Sequence, residues 1–219
     1  MEKFFEILKK CQLFAYVREE NMPAMLACLG ARTAAFRKDQ PILSEGQPAR
    51  EVGILLSGGA QIIRMDYYGN RTIVAAIRPS QVFGEAFACM ETEHLPISVV
   101  ASEDSQAMMI DCRRIVSTCS SACDFHNQMI FNLLKIVAGK NILYNQKIAI
   151  TSQRTTREKL MTYLLMEARN QGEKEFTIPF DRQALADYLE VERSGLSAEI
   201  SKLKREGILE TNRSWFRLL

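Results

Sequence analysis

Histidine is almost missing from this chain: His94 and His126 are the two in 219 residues. Most imidazole-based chemistry goes with it. The sequence holds no Ser/His/Asp set, no metal-ligand motif with an open position and no glycine-rich phosphate loop, so an enzyme is not expected. Long apolar runs are missing too. None approaches the roughly 18 residues that a membrane-spanning helix needs. The opening stretch MEKFFEILKKCQLF alternates charge with bulk and lacks the continuous apolar region and small-residue cleavage site of a signal peptide. The expectation is a cytoplasmic protein with no membrane partner. Excess charge of one sign is also lacking, with 28 Lys/Arg against 26 Asp/Glu. Residues 151–219 hold 12 basic and 11 acidic side chains. Any affinity for nucleic acid must therefore come from a local cluster of charge on one face.

What is present is an ordinary globular composition, 47% hydrophobic and 25% charged, with length for one large or two small domains. Six cysteines stand at positions 11, 28, 89, 112, 119 and 123. In a cytoplasmic protein they are expected as reduced thiols, not as a disulfide framework. Cys119, Cys123 and His126 fall at i, i+4, i+7, one face of a helix, with Cys112 close in sequence. Thiolate and imidazole at that spacing could bind zinc or iron, or host a redox thiol. The competing reading makes the cysteines small buried hydrophobes and His126 a surface or core polar residue. His94 and His126 are the two candidates for an axial haem ligand. The sequence names no cofactor beyond these options.

Helical patterns cover residues 3–12 and 23–30, with Pro23 near the start of the second. From about 31 to 110 the pattern changes to short apolar runs: Val52–Leu56, Ala60–Met65, Thr72–Ile77, Ile97–Ala101 and Ala107–Ile110. Turn signals separate them, such as Ser57-Gly58-Gly59, Asp66 to Asn70, and Arg78-Pro79-Ser80. Many short strands at regular spacing predict a β-sandwich or barrel. A short helix is expected near 111–119 and a long one from about 122 to 150. Ile130, Leu134, Val137, Asn141, Tyr144 and Ile148 follow a 4-3-4-3-4 spacing on it, the seam of a coiled-coil pair. An offset stripe holds Met129, Leu133, Ile136 and Leu143. Two adjacent apolar stripes need two partners, so one is assigned to the β-domain and the other to a second copy of the helix. Thr151 to Arg154 reads as a hinge, and residues 155–170 as an amphipathic helix that Gly172 ends.

The last forty residues form a helix pair and hairpin. Leu185, Ala186 and Leu189 fit one short helix, Val191 the turn, and Leu196, Ile200 and Leu203 a second helix. Gly207 stands where a left-handed cap ends that helix. Phe176–Ile178 and Trp215–Leu218 are expected strands of a β-wing. A helix pair of this kind presents its second helix to a DNA major groove. Arg182, Arg193, Ser194, Ser197, Ser201 and Lys202 are the candidate DNA-contacting residues.

The order of β-roll, long helix and winged helix-turn-helix resembles the CRP/FNR family of bacterial transcription regulators. The words that carry the resemblance are Ile42-Leu43-Ser44-Glu45-Gly46, Ile54-Leu55-Leu56-Ser57-Gly58-Gly59 and Val82-Phe83-Gly84-Glu85, taken with the helix pair. The resemblance implies an α+β fold: a cupin-like, cyclic-nucleotide-binding-type β-roll over 1–120, a dimerisation helix over 121–150 and a DNA-binding domain over 151–219. It implies a homodimer on a palindromic operator of double-stranded DNA. RNA polymerase and an unknown small-molecule or redox effector are the further partners expected.

The chain departs from the family's patterns in its roll, in its N-terminal cysteines and in its helix pair. Cyclic-nucleotide-binding members follow Gly-Glu, here Gly84-Glu85, with an Arg-Ser pair that holds the phosphate, and that pair falls on Leu95 and Pro96. Leucine offers no cation and proline lacks even its N–H. Gly84, Glu85, Leu95 and Tyr144 remain the candidate effector pocket, for a signal other than a cyclic nucleotide. Iron–sulfur members carry a tight N-terminal cysteine cluster where this chain has only Cys11 and Cys28. In the reading helix, the family's usual acidic reader falls on Ser194 and its second arginine on Ala198. Glu190 takes a turn position often held by glycine, and Glu199 a common apolar one. The alternative function is a β-roll sensor or protein-binding module that does not act on DNA.

Overall fold

The computed structural model describes residues 4–117 and 124–219, which group into two compact units. One comprises Met1–Met65 and Val74–Asn141, the other Asp66–Ile73 and Ile142–Leu219. Cys119 and Cys123 lie outside the described residues.

The N-terminal unit opens with two short helices, α1 (Phe5–Lys9) and α2 (Met22–Cys28). Pro23 sits in the first turn of α2, where its missing N–H costs nothing. Strands β1 (Arg32–Phe36), β8 (Ser105–Asp111), β3 (Glu51–Ser57) and β6 (Val82–Phe83) form one antiparallel sheet in that order. The second sheet runs β2 (Pro41–Leu43), β7 (Ser98–Ala101), β4 (Ala60–Met65) and β5 (Arg71–Ile77). Sequence expectation located β3, β4, β5, β7 and β8 to within two residues. It did not specify β1, β2 and β6. All three are edge strands, with one neighbour each and correspondingly weak patterning; β2 even starts on a proline, which an edge tolerates.

The central strands are buried on both faces, and their alternation sorts two cores. Val52, Ile54 and Leu56 of β3, with Met108 and Ile110 of β8, pack outward with Leu8, Leu13, Met25, Leu26 and Leu29. Leu55, Ala107 and Met109 turn inward to meet Ile62, Ile77, Phe83, Leu95, Ile97 and Val99. This is the period-2 pleat at work. Gly53 is required by it, because a Cβ there would fall on the Phe83 ring.

Two more short helices close the roll: α3 (Glu85–Cys89) and α4 (Cys112–Val116). The latter ends before the expected 119, with Ser117 already extended. The long helix α5 (Asp124–Thr151) has 28 residues, about 42 Å at 1.5 Å each. Met129, Leu133 and Ile136 are buried in the outer core as expected. Leu143 is not: it is 57% exposed. The N-terminal unit claims α5 only as far as Asn141, so the layer covering the first three has ended before Leu143. On the other stripe Leu134 and Ile148 are exposed at 63% and 62%, and Ile130 and Val137 half-buried. His126 resolves as a core polar residue, buried and stacked on Phe125.

The C-terminal unit contains α6 (Thr156–Gln171), β9 (Glu175–Thr177), α7 (Arg182–Leu189), α8 (Arg193–Arg205), β10 (Leu209–Asn212) and β11 (Trp215–Leu218). A capping box starts α6: Thr155 Oγ1 accepts from the Glu158 N–H and the Glu158 carboxylate accepts from the Thr155 N–H. Gly172 ends it in the left-handed region. Strands β10, β11 and β9 make the small antiparallel sheet.

Candidate nucleic-acid interface

Helix α7 is started by Asp181, whose carboxylate accepts the Ala184 N–H at 2.8 Å. It buries Ala184, Leu185, Ala186 and Leu189. It stops at Glu190, which takes the left-handed conformation at φ 54° and ψ 56°. A non-glycine residue there costs about 1–2 kcal/mol. A Lys159 ammonium meets the Glu190 carbonyl at 3.2 Å and gives that strained corner a partner. Helix α8 then buries Leu196, Ile200 and Leu203. These lie at i, i+4, i+7, so the opposite face is left to solvent.

That open face carries most of the candidate residues. Arg193, Ser194, Ser201 and Lys202 are exposed and Ser197 half-exposed. Ser201 Oγ donates back to the Ser197 carbonyl at 2.9 Å, leaving its oxygen as an acceptor. Gly195 and Ala198 between them keep the surface low. Glu199 does not break the pattern, because it is claimed from behind. Arg157 of α6 reaches it at 3.4 Å and Glu206 at 2.6 Å. An acidic residue at an apolar position is thus turned away from the basic face by a partner 42 residues upstream.

Arg182 stands apart from the rest. It is half-buried, with its guanidinium over the Phe216 ring at 5.7 Å and one N–H toward the Arg213 carbonyl at 3.4 Å. Its Nη1 has no acceptor among the described residues. Burial, and then the repulsion of Arg193, hold its pKa below the usual arginine value. Arg182 opens α7 and Arg193 opens α8, so the first residues of the two helices bring like charges near enough to repel one another.

The wing adds residues that the sequence reading missed. A two-residue turn, Arg213-Ser214, joins β10 to β11, since Asn212 pairs with Trp215. Arg213 is left-handed at φ 54° and exposed. Arg217 is also exposed, beside Glu210. The signal was available in the sequence as an arginine placed between two short apolar runs.

The candidate effector residues are distributed differently. Gly84 is left-handed at φ 78°, and a Cβ on it would press on Leu43. Glu85 follows it at 3% exposure, with its carboxylate on the Lys140 ammonium of α5 at 2.8 Å. The same ammonium donates to the Val82 carbonyl at 2.7 Å. Leu95 is buried within the apolar interior of the roll. Its backbone is bonded twice to a distant segment, the carbonyl accepting from the Gly46 N–H and the N–H donating to the Gln47 carbonyl. Tyr144 belongs to the C-terminal unit, on the later part of α5. His94 Nδ1 donates to the Gly46 carbonyl at 3.1 Å, on the surface. Among the described residues no group of three or more metal-ligating side chains converges, and no helix is long and apolar enough to cross a membrane.

Comparison with known proteins gives matches at both ends of the chain. A cyclic nucleotide-binding domain model matches residues 33–121, and a Crp-like helix-turn-helix domain model matches residues 158–219. The transcriptional activator protein FnrA of Stutzerimonas stutzeri is 21% identical over 193 residues, covering 86% of this chain and 77% of that protein. The nitrogen fixation regulation protein FixK of Azorhizobium caulinodans is 23% identical over 197 residues, covering 87% and 76%. The structure of FixK2 from Bradyrhizobium japonicum superposes with a TM-score of 0.68 at 23% identity, over 86% of this chain and 92% of that one.

Proposed function

We propose that this chain, which belongs to the CRP/FNR family of DNA-binding transcription regulators, acts in the cytoplasm as a homodimer on a palindromic operator and answers an effector or redox signal other than a cyclic nucleotide. The observation that carries the DNA reading is the division of α8. One face is wholly buried in the domain, and the other presents Arg193, Ser194, Ser197, Ser201 and Lys202 to solvent. Arg193 occupies the first turn, from which side chains reach base edges in this motif, and bidentate arginine on guanine is the commonest specific contact. Lys202 lies two turns on, where the backbone runs. Arg182 and Arg213 complete a basic rim suited to phosphates, with RNA polymerase as the partner of the bound dimer.

Dimerisation is assigned to α5, because Leu134 and Ile148 leave large apolar surfaces in water and lie on the 4-3 stripe of a two-helix seam. The signal is assigned to the roll. Cyclic nucleotides are unfavoured there, since Leu95 supplies no cation, sits among apolar side chains, and has Pro96 as its neighbour. An unpaired phosphate buried in that place would cost several kcal/mol.

Selection of binding sites from a random duplex library tests the reading. The expected operator is an inverted repeat with half-sites roughly 10 bp apart, one helical turn. Arg193→Ala should cost about 1–3 kcal/mol and relax one position per half-site. Lys202→Ala should weaken all sequences alike and flatten the salt slope by about one. If Arg193→Ala keeps the wild-type preference at every position, α8 does not read DNA in this register.

A further inference from the structure

We propose that Cys89 and Cys112 form a redox-active dithiol, which a peroxide closes to an intramolecular disulfide that re-seats α3 against α5. The two sulfurs lie 3.4 Å apart, although 23 residues separate them in sequence. Both are free thiols. A disulfide bond is about 2.05 Å long, so the sulfurs need approach by only about 1.4 Å. Their backbones are held for it. Asp111 caps α4 by accepting the Arg113 N–H at 2.9 Å, and the Cys112 N–H bonds the Arg50 carbonyl at 2.9 Å. Beside the thiols, Arg113 makes a two-pronged bond to Glu91 at 2.8 and 3.0 Å. That pair ties the end of α3 to α4 in parallel with the sulfurs.

The two cysteines are unequal, which orders the chemistry. Cys89 is exposed, while Cys112 is 3% exposed. Burial, followed by the neighbouring Cys89, pushes the Cys112 thiol up to about 12. Cys112 is therefore shielded from a dissolved oxidant, and Cys89 at the surface meets it first. The Cys89 sulfur attacks hydrogen peroxide. An S–O bond forms, the O–O bond breaks, and the Cys89 proton leaves with the departing hydroxide as water. The sulfur is oxidised to a sulfenic acid and the peroxide is reduced. The Cys112 sulfur then attacks the Cys89 sulfur. The S–S bond forms, the S–O bond breaks, and the Cys112 proton leaves with that hydroxide as a second water.

The consequence follows from what else α3 carries. The helix has five residues, about 7 Å of length. Cys89 is its last residue and Glu85 its first. Glu85 is buried on the Lys140 ammonium of α5. A pull on one end of so short a strut reaches the ion pair at the other. This coupling rests on the reading of the N-terminal unit as the sensing unit; the thiol chemistry does not.

The test uses the full-length reduced protein titrated with hydrogen peroxide, and no DNA. Intact mass should fall by two hydrogens, and peptide mapping should find Cys89 linked to Cys112 within one chain. Cys112→Ala should stall Cys89 as a sulfenic acid that dimedone labels, and Cys89→Ser should take no label at Cys112. If Cys112→Ala fails to fold, wild-type mapping and Cys89→Ser still decide. Amide hydrogen exchange around Glu85 and Lys140 should change on oxidation of the wild type and stay constant in Cys89→Ser. Thiols that remain free in excess peroxide, or Cys89 linked elsewhere, would overturn the dithiol. A disulfide that leaves exchange around Lys140 unchanged would overturn the coupling. Neither outcome touches the operator selection, so the DNA reading fails or stands separately.

Discussion

Replacing Lys147 by methionine is expected to stabilise the C-terminal unit at neutral pH. Lys147 lies on α5 at 9% exposure, and its ammonium has no hydrogen-bond acceptor among the described residues. It rests 3.7 Å from the centroid of the Tyr188 ring, a cation–π contact that returns about 2 kcal/mol when desolvated. The balance still opposes the charge. Burial, the largest cause, lowers the pKa from 10.5 to about 8; Glu190 works the other way, and Lys159 adds repulsion. At about 1.4 kcal/mol per tenfold change, the charged form costs about 3 kcal/mol in the folded state. Methionine keeps an unbranched stem of similar volume and removes the charge. A gain of about 1–3 kcal/mol at pH 7 is expected.

The pH dependence gives the sharper test. The folded pKa lies below the unfolded one, so between about 8 and 10.5 the unfolded chain binds more protons and stability rises with pH. The wild type should recover about 2 kcal/mol between pH 7 and about 9.5, closing on the variant. Measurement stops there because burial pushes the Tyr188 phenol up to about 12. Above pH 10 the unfolded tyrosine ionises first and stability falls. The chain has one tryptophan, Trp215, so its fluorescence follows the C-terminal unit in urea or on heating. A variant less stable than wild type at pH 7, or a gap that does not narrow with pH, would refute the reasoning.

Leu134→Asp with Val137→Asp places charge on the open stripe of α5 and should give monomers that have lost operator affinity by at least tenfold; sedimentation of a wild type already monomeric at micromolar concentration would sink the seam. Calorimetry with cyclic AMP and cyclic GMP should detect no binding at micromolar concentration, because Leu95 is buried among apolar side chains and offers a phosphate no cation. Asp181→Ala removes the cap of α7 and should cost about 1 kcal/mol of stability in the same Trp215 assay, with the half-site preference unchanged.

Local pattern alone determined much of this protein. The period of Leu196, Ile200 and Leu203 placed α8 and told which of its faces is open. The runs Ala60–Met65 and Trp215–Leu218 became strands with those bounds. The glycines at 84, 172 and 207 stand at positive φ because turns and helix ends need it. Such features depend on neighbours a few residues away, and a single sequence records those. The edge strands were less legible, since a strand with one neighbour has little patterning to show.

The pairings across the fold were decided only in three dimensions. Periodicity gave α5 two apolar stripes, but only packing showed that Met129, Leu133 and Ile136 are covered while Leu134 and Leu143 are not. Spacing drew attention to Cys112 through its sequence neighbours, yet in space its partner is Cys89, 23 residues earlier. Glu85 read as a candidate pocket residue, and only the packing shows its carboxylate buried on Lys140, 55 residues on. Arg182 read as a candidate DNA contact, and only the packing shows that its guanidinium also lies over the Phe216 ring. Each of these is set by sheet register and helix rotation. A shift of one residue in a strand, or of 100° around a helix, exchanges every such partner. The same local pattern is therefore compatible with many long-range pairings, and the tertiary packing selects among them.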